Sequence, residues 1–556
     1  MIARSPETRL KRLNPDIDDI PRDWDVIIAG GGITGAGILR ETVRLGLRAI
    51  LLEQFDFAWG TSSRSSKLVH GGLRYLREGR FSLTRASVEE RRRLLLEAPG
   101  LVDPLGFLIP VYKRGHPGKT ILSAGLTLYD LMGAGKRHRF LQSAAFLARM
   151  PHIRRDGLTG GFSFHDARVD DARLVLRLVN EALDDGAWAA NYTAVRHILR
   201  DVRGRVRGVA VEGEDGRSRE LAGRVVVNAT GWWAGTLHTT PDAKRHLRPL
   251  RGSHIVYPSW VLPIAQAVTF AHPADRRPIF VIPWEGVVLV GTTDLDHEAG
   301  FNEEPAISPE EVSYLRQGLI DCFPSLALGL DRGIATFAGV RPVVSEGNRA
   351  PSEESRDHVI WKDRGLITVT GGKLTTFRRI AWDTLNEVFE YLPEGTTPDR
   401  DVPVFEPPPD RAAVGPDLPE ETWKRLAGRY GKRALLMTAE ASPDDVKSVG
   451  GTPTLWAEVI EGARREGVKH LDDLLLRRVR LGLLLIDGGM GLLDEVQRRC
   501  GPVLPWSGKR WREERNRYRD ILERSYGLPG RKPLPSAEKE GILKKTVRRA
   551  RQRFRL

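Results

Sequence analysis

Residues 67–76 read KLVHGGLRYL and follow the run TSSRSS at 61–66. A histidine, two glycines, an arginine and a tyrosine within ten residues serve no ordinary buried helix or strand. Each type has a chemical use. His70 is a general-base candidate, because imidazole changes charge near neutral pH. Gly71 and Gly72 let main chain run close against a ligand, and Arg74 and Tyr75 follow where a substrate would lie. Thr61, Ser62, Ser63, Ser65 and Ser66 offer small hydroxyl donors. A second base candidate, His254, lies in RGSHIV at 251–256, and its place on a predicted strand makes it the preferred one. Cys322 and Cys500 are the only cysteines; they lack metal-ligand spacing and are too few for a disulfide framework. No metal is expected.

Such residues need a scaffold, and WDVIIAGGGITGAGILRETVRLGLRAILLE at 24–53 describes one. Val26–Ala29 is a continuous apolar run, as in a strand buried on both faces. Gly30, Gly32 and Gly35 then fit G-x-G-x-x-G at the start of a helical segment that stops near Gly46, and a second apolar strand ends in Glu53. In this register the first glycine makes the tight turn, the second admits a pyrophosphate and the third lets helix and strand pack. The helix N-terminus, with Gly31 and Thr34 beside it, holds the diphosphate. Glu53 is placed to accept ribose hydroxyls, which argues against a 2′-phosphate and leaves FAD or NAD. VVVNATG at 225–231 is another buried strand, whose turn Ala229-Thr230-Gly231 suits close passage of a cofactor. No second strand-anchored fingerprint occurs, since GGMG at 488–491 lacks a strand's context. One dinucleotide is therefore expected.

Taken in order, GGGITGAG, TSSRSSKLVHGGLRYL, VDDARL (169–174), VVNATG, RGSHIV, FVIPW (280–284), VGTTD (290–294), GVRP (339–342) and GGKLTT (371–376) resemble the FAD-dependent glycerol-3-phosphate dehydrogenases over roughly residues 24–395. DDLLLRRVRLG (472–482) is similar to their helical C-terminal domain. The resemblance implies an α/β fold: a Rossmann-like FAD-binding domain interleaved with a mainly antiparallel substrate-binding sheet, followed by an all-α domain. It implies oxidation of sn-glycerol 3-phosphate to dihydroxyacetone phosphate, with hydride passing to FAD and electrons to a membrane quinone. By resemblance Arg74, Tyr75 and Lys373 bind substrate, and Arg341 lies near the reacting carbinol. The cofactor set it implies is Gly30, Gly31, Gly32, Thr34, Gly35, Glu53, Thr61, Ser62, Ser63, Ser66, Lys67, His70, Gly71, Gly72, Ala229, Thr230, Gly231, Gly372, Lys373, Leu374 and Thr375. Trp232, where the family usually has proline, and Phe164-His165, where tyrosines are common, depart from the pattern. No Cys or His is placed for covalent attachment, so FAD is expected to be non-covalent.

The chain has 556 residues and a formal net charge of +14. That length predicts two or three domains. The charge suits an anionic substrate or membrane face; without an aromatic-interleaved basic motif, nucleic acid is not expected. The expected layout is an N-terminal extension (1–22), a flavin region (23–400), a proline-rich linker (401–419), a helical domain (420–535) and a basic amphipathic tail (536–556). No apolar run approaches the length of a membrane span, and no secretory signal is apparent. The expected location is the cytoplasm, peripherally on the inner face of the cell membrane, with a homodimer possible. Competing readings are an oxidase that passes electrons to oxygen and an amine or amino-acid oxidase of the same superfamily. In the tail, Ile542, Leu543, Val547, Ala550 and Phe554 form one helical stripe beside Lys544, Lys545, Arg548, Arg549, Arg551 and Arg553. Basic residues near an anionic surface contribute about 1 kcal/mol each. Deletion after Pro535 is expected to lower co-sedimentation with anionic vesicles while leaving flavin reduction intact; equal sedimentation at low and moderate salt removes the tail from membrane binding.

Overall fold

The computed structural model describes residues 9–531 except 78, 116, 134–136, 238–246, 299, 301–302, 327–331, 345–356, 393–399 and 412–416. The tail 536–556 lies outside the described residues, as do the side chain of Arg74 and part of the 401–419 segment.

Val26, Ile27 and Ile28, and likewise Val225, Val226 and Val227, are wholly buried, which a strand achieves only when covered on both faces. They sit at the centre of an eight-stranded sheet. Its parallel core runs, in spatial order, Leu366–Gly371, Ser218–Asn228, Asp23–Ala29, Ala49–Leu52 and Trp188–Ala190. His358–Asp363 pairs antiparallel at one edge, and Val206–Gly213 pairs antiparallel with the start of Ser218–Asn228. Helices Ile33–Arg44, Asp171–Asp184 and Phe377–Val388 pack together over the sheet. The carboxyl ends of the parallel strands are where such sheets bind ligands.

The second sheet has ten strands and is antiparallel throughout except where Ala267–Ala271 runs alongside Val102–Tyr112. Its longest pairings join Val102–Tyr112 to Leu158–Val169 and Leu247–Pro258 to Ala335–Val344. The latter register puts His254 opposite Phe337 and Leu250 opposite Arg341. The short Leu68–Val69 strand joins this sheet through Leu158–Val169, so His70 emerges between the two sheets.

Beyond residue 420 the described chain is helical, from Glu420–Tyr430 to the π-turn Leu522–Tyr526. GGMG lies in a left-handed turn at Asp487–Gly489; a Cβ on Gly488 would come within 2.4 Å of Leu522, so the turn serves packing. The proline-rich stretch differs from a loose linker. Val404 and Phe405 are buried, Arg40 Nε donates to Val404 O at 3.1 Å, and Glu97 accepts from Val404 N at 2.8 Å. Two apolar side chains, a buried arginine and a partly buried glutamate dock it onto the flavin region. The N-terminal extension is likewise docked through Leu13, Ile17 and Ile20.

Helical and flavin regions are held together by buried ions. Arg173 forks onto Glu466, both side chains at most 1% exposed, and Asn180 donates to the same carboxylate. Burial opposes ionisation of Glu466, but Arg173 and Arg433 outweigh it and hold the carboxyl at about 2. Removing one partner of such a pair strands the other charge. Glu466→Gln is expected to destabilise the chain by about 3–5 kcal/mol, read as a lower midpoint in thermal or urea unfolding; an unchanged midpoint contradicts this account of the interface.

Candidate active site

Between the sheets lies a cleft of about 840 Å³ that meets the carboxyl ends of Asp23–Ala29, Ala49–Leu52 and Ser218–Asn228. Gly30 has φ +110°, and a Cβ there would sit 2.5 Å from Ala229 O; one on Gly35 would strike Gly30 O at 1.9 Å. No other residue fits either position, so turn and helix lie as close to the sheet as the fingerprint requires. Glu53 closes this end. Its carboxylate accepts from Gly31 N at 2.6 Å and Phe55 N at 2.8 Å. Burial nevertheless pushes it from 4.5 up to about 7, more than these N–H groups lower it. The ionised form of a carboxyl so placed is stabilised by further donors, which the ribose hydroxyls of a bound dinucleotide would supply. The strand, the glycine turn and this acid together fit FAD.

The hydroxyl-rich loop is largely engaged with protein. Ser62 Oγ accepts from Ile33 N at 2.9 Å, capping the helix, and Thr61 Oγ1 donates to Val340 O. Ser65 donates through N and Oγ to Asp171, and Ser66 Oγ lies 2.9 Å from His254 Nε2. Thr61, Ser62, Ser65 and Ser66 still line the cleft, together with Gly32, Thr34, Ala229, Thr230, Gly231, Gly372, Leu374 and Thr375.

Gly31, Gly35, Ser63, Lys67 and Gly71, expected among the cofactor contacts, are not among the cleft-lining residues. Gly35 has the packing role assigned to the third glycine, and Gly31 sits against Glu53 and Phe57. Lys67 turns inward at φ +60°. It is fully buried, with Nζ 2.8 Å from Asp171 and 2.6 Å from Ser63 O. Gly71 N donates to Tyr129 Oη at 2.8 Å, and a Cβ there would collide with that hydroxyl; at Gly72 (φ +80°) it would collide with the ring of Tyr75. The glycine pair thus makes room for two tyrosines.

At the far end of the strands the cleft is cationic. Lys373 Nζ sits 3.7 Å from the ring centroid of Tyr75 and 3.1 Å from Ser87 Oγ. Arg341 donates to Thr292 Oγ1 and to Asp294, each at 3.2 Å. Arg277, absent from the sequence reading, shares Asp294 at 3.3 Å. Its signal was hidden, because Arg277 and Asp294 are brought together only by adjacent strands of the second sheet. His254 stacks on Phe337 with ring centroids 4.6 Å apart. Burial and then the nearby charges of Lys67 and Arg341 lower it to about 3, and its Nδ1 has no hydrogen-bond partner among the described residues. It is a neutral ring at ordinary pH. His70 lines the same cleft, its backbone N bonded to Thr375 Oγ1 at 3.3 Å.

A parallel-sheet dinucleotide site facing a cationic pocket on an antiparallel sheet defines a nucleotide-cofactor oxidoreductase. Residues 25–378 match the family model described as FAD dependent oxidoreductase, and residues 378–511 match the C-terminal domain of alpha-glycerophosphate oxidase. The aerobic glycerol-3-phosphate dehydrogenase of Staphylococcus epidermidis is 33% identical over 486 residues, covering 82% of this chain and 86% of the relative. That of Staphylococcus aureus is 33% identical over 482 residues, with the same coverage. The solved glycerol-3-phosphate dehydrogenase from Bacillus halodurans, complexed with FAD, is 26% identical with a TM-score of 0.69, covering 90% of this chain and 95% of that one. The chain belongs to the FAD-dependent oxidoreductases, in the family of the aerobic glycerol-3-phosphate dehydrogenases. An L-alpha-glycerophosphate oxidase from Mycoplasma pneumoniae, 18% identical with a TM-score of 0.54 over 70% of this chain and 100% of that one, shares the fold.

Because hydroxyl donors favour the ionised acid, FAD uptake should release the proton that Glu53 holds below about pH 7. Flavin-stripped protein is therefore expected to bind FAD more tightly at pH 8 than at pH 6 by severalfold, and Glu53→Gln to weaken binding and abolish that dependence. Flavin fluorescence titration checks both; a pH-independent wild type contradicts the ribose role of Glu53.

Proposed function

We propose that the protein oxidises sn-glycerol 3-phosphate to dihydroxyacetone phosphate. The observation that carries this reading is the cationic end of the cleft, where Arg341, Arg277 and Lys373 face space continuous with the dinucleotide site. A phosphate monoester with nearly two charges needs directed cationic donors once removed from water. The enzyme names of the 33%-identical relatives point to the same substrate.

In this reading Lys373, Arg74 and Tyr75 hold the phosphate and body of the substrate. Arg341, oriented by Asp294 and Thr292, faces the carbinol and stabilises the oxygen as it loses its proton. When bound, FAD supplies the two-electron acceptor for the hydride of the carbinol carbon. His254 takes the hydroxyl proton. Its low basicity arises from burial and two cations; a dianionic substrate beside Arg341 offsets the cations and raises the ring toward the range of a useful base. Ser66, bonded to Nε2, orients the imidazole.

For the electron acceptor the reading is a membrane quinone. The cleft continues into an apolar lobe lined by Phe81, Ile109, Ile121, Leu122, Leu128 and Phe280, and Phe81, Ile121 and Leu131 are exposed nearby at 50%, 59% and 79%. A lipid-soluble acceptor suits that lobe, and an apolar rim suits peripheral contact with a bilayer. Among the described residues no helix is long and apolar enough to cross a membrane. The match to an alpha-glycerophosphate oxidase domain favours a second reading for this step only, with oxygen as acceptor and peroxide as product.

Anaerobic mixing of the flavin-loaded protein with glycerol 3-phosphate is expected to bleach the flavin band, with glycerol far less effective. Losing one cation from a desolvated ion pair costs about 2–5 kcal/mol, so Arg341→Ala and Lys373→Ala should each slow bleaching or weaken substrate by tens of fold or more. Full absorbance retained by the wild type overturns the substrate. In the oxidative half, quinone reduction without peroxide supports the quinone reading, and stoichiometric peroxide replaces it with the oxygen one.

A further inference from the structure

Residues 477–480, RRVR, belong to the helical C-terminal domain, yet their side chains end inside the flavin region. Arg478 forks onto Asp56 with Nη1 at 2.6 Å and Nη2 at 2.7 Å, and Arg477 reaches the same carboxylate through Nε. Asp56 lies three residues past Glu53, and Asn191 also donates to it at 2.8 Å. Arg480, itself at φ +61°, donates to Asp171 at 3.0 Å and to Ser63 O at 2.8 Å. Asp171 in turn fixes Ser65 and Lys67. Arg477, Arg478 and Arg480 are at most 2% exposed, and Asp56, Asp171 and Lys67 are fully buried. The three arginines therefore hold, from behind, the two loops whose front faces line the cofactor end of the cleft: 53–60, which carries Glu53, and 61–67, which carries Ser62 and Ser66.

We infer that Arg477, Arg478 and Arg480 are cofactor-positioning residues, by which the C-terminal domain fixes the two FAD-cradling loops and so sets flavin retention. This rests on the flavin site proposed above. Geometry makes the assignment specific. Arg478 uses both terminal nitrogens on one carboxylate, a fork that lysine cannot reproduce. Arg480 ties the backbone carbonyl of Ser63 to the carboxylate that holds Ser65 and Lys67 of the same loop. Loss of either arginine leaves Asp56 or Asp171 short of a cation in a dry interior, and the cheapest relief is movement of the loop that carries it. The part-buried pair chosen as a control lacks this link. Arg425 and Glu458, bonded at 2.9 Å, join two helices of the C-terminal domain and touch neither loop.

Full-length Arg478→Ala, Arg480→Ala and the control Arg425→Gln separate positioning from general stability. The readouts are the rate of FAD release, followed by recovery of flavin fluorescence, and the rise in Tm that saturating FAD produces. Release at least tenfold faster and a reduced FAD-induced rise in the two alanine variants, with both unchanged in Arg425→Gln despite a lower Tm, are expected. Arg478→Lys carries the same test if the alanine variants aggregate, since it keeps the charge and loses the fork; an intermediate release rate is expected. Wild-type release and an undiminished FAD-induced rise in folded variants of either kind would falsify the inference while leaving the flavin reading intact. A wild-type protein that takes up no FAD overturns both.

Discussion

Asp171 is the point on which the geometry of the site depends. Its Oδ2 accepts from Ser65 N, Ser65 Oγ and Lys67 Nζ, and its Oδ1 accepts from Ala172 N and Arg480. Burial raises the cost of its charge, and Lys67 and Arg480 more than offset it, so the carboxyl stays below its ordinary value. A buried carboxylate with five donors is tolerable only if every donor stays in place. That requirement converts one side chain into a constraint on three segments: the hydroxyl loop, the start of the helix Asp171–Asp184, and the arginine run of the C-terminal domain. The VDDARL and RRVR motifs lie some three hundred residues apart in sequence and meet at this carboxylate.

The same cluster governs the electrostatics of the cleft. Lys67 is itself lowered to about 7, by burial first and then by Arg480, against the pull of Asp171. Burial first, and then Lys67 and Arg341, keep His254 neutral. A neutral imidazole stacked on Phe337 and tied to Ser66 is an acceptor waiting for charge compensation. In the proposed reaction an anion entering beside Arg341 provides that compensation, and without one the imidazole is a poor base. Under the proposed reaction the consequence is selectivity: a neutral polyol in the same pocket brings no charge beside Arg341 and leaves the imidazole weakly basic.

Much of this was legible in the sequence, and the limits have a common cause. The parallel strands, the turn at Gly30, the close packing at Gly35 and the place of Glu53 follow from local spacing, because each depends on residues within one βαβ unit. The antiparallel second sheet came from family resemblance, since its alternation is blurred by burial on both faces. Lys67 could not be read correctly. In the sequence it sits between Ser66 and the strand Leu68–Val69 and looks like a ligand contact; its inward turn is dictated by Asp171, 104 positions away. Gly71 and Gly72 were legible as close-approach positions, but the approaching groups are Tyr129 and Tyr75. Arg277 escaped because its meaning comes from sharing Asp294 with Arg341 across neighbouring strands. The 401–419 segment reads as a linker from composition, which does not show that Val404, Phe405 and Leu418 are buried or that Glu406 bonds to Glu181.

The cleft also joins two chemically opposed regions. Its cofactor end and cationic pocket suit an anion, and its outer lobe, walled by Phe81, Ile121, Leu128 and Phe280, suits an apolar molecule. Desolvating a phosphate against aromatic walls is costly, and the cations Arg341 and Lys373 offset that cost at the other end. A phosphate monoester is thus kept to the cationic end by its own solvation. Under the proposed reaction this lets reductant and acceptor use one opening in turn without a moving partition. The scaffold must then keep the cofactor fixed while unlike molecules come and go on either side of it. Loops braced by buried ion pairs from a second domain meet that demand better than loops held by surface contacts, because their order does not depend on what occupies the cleft.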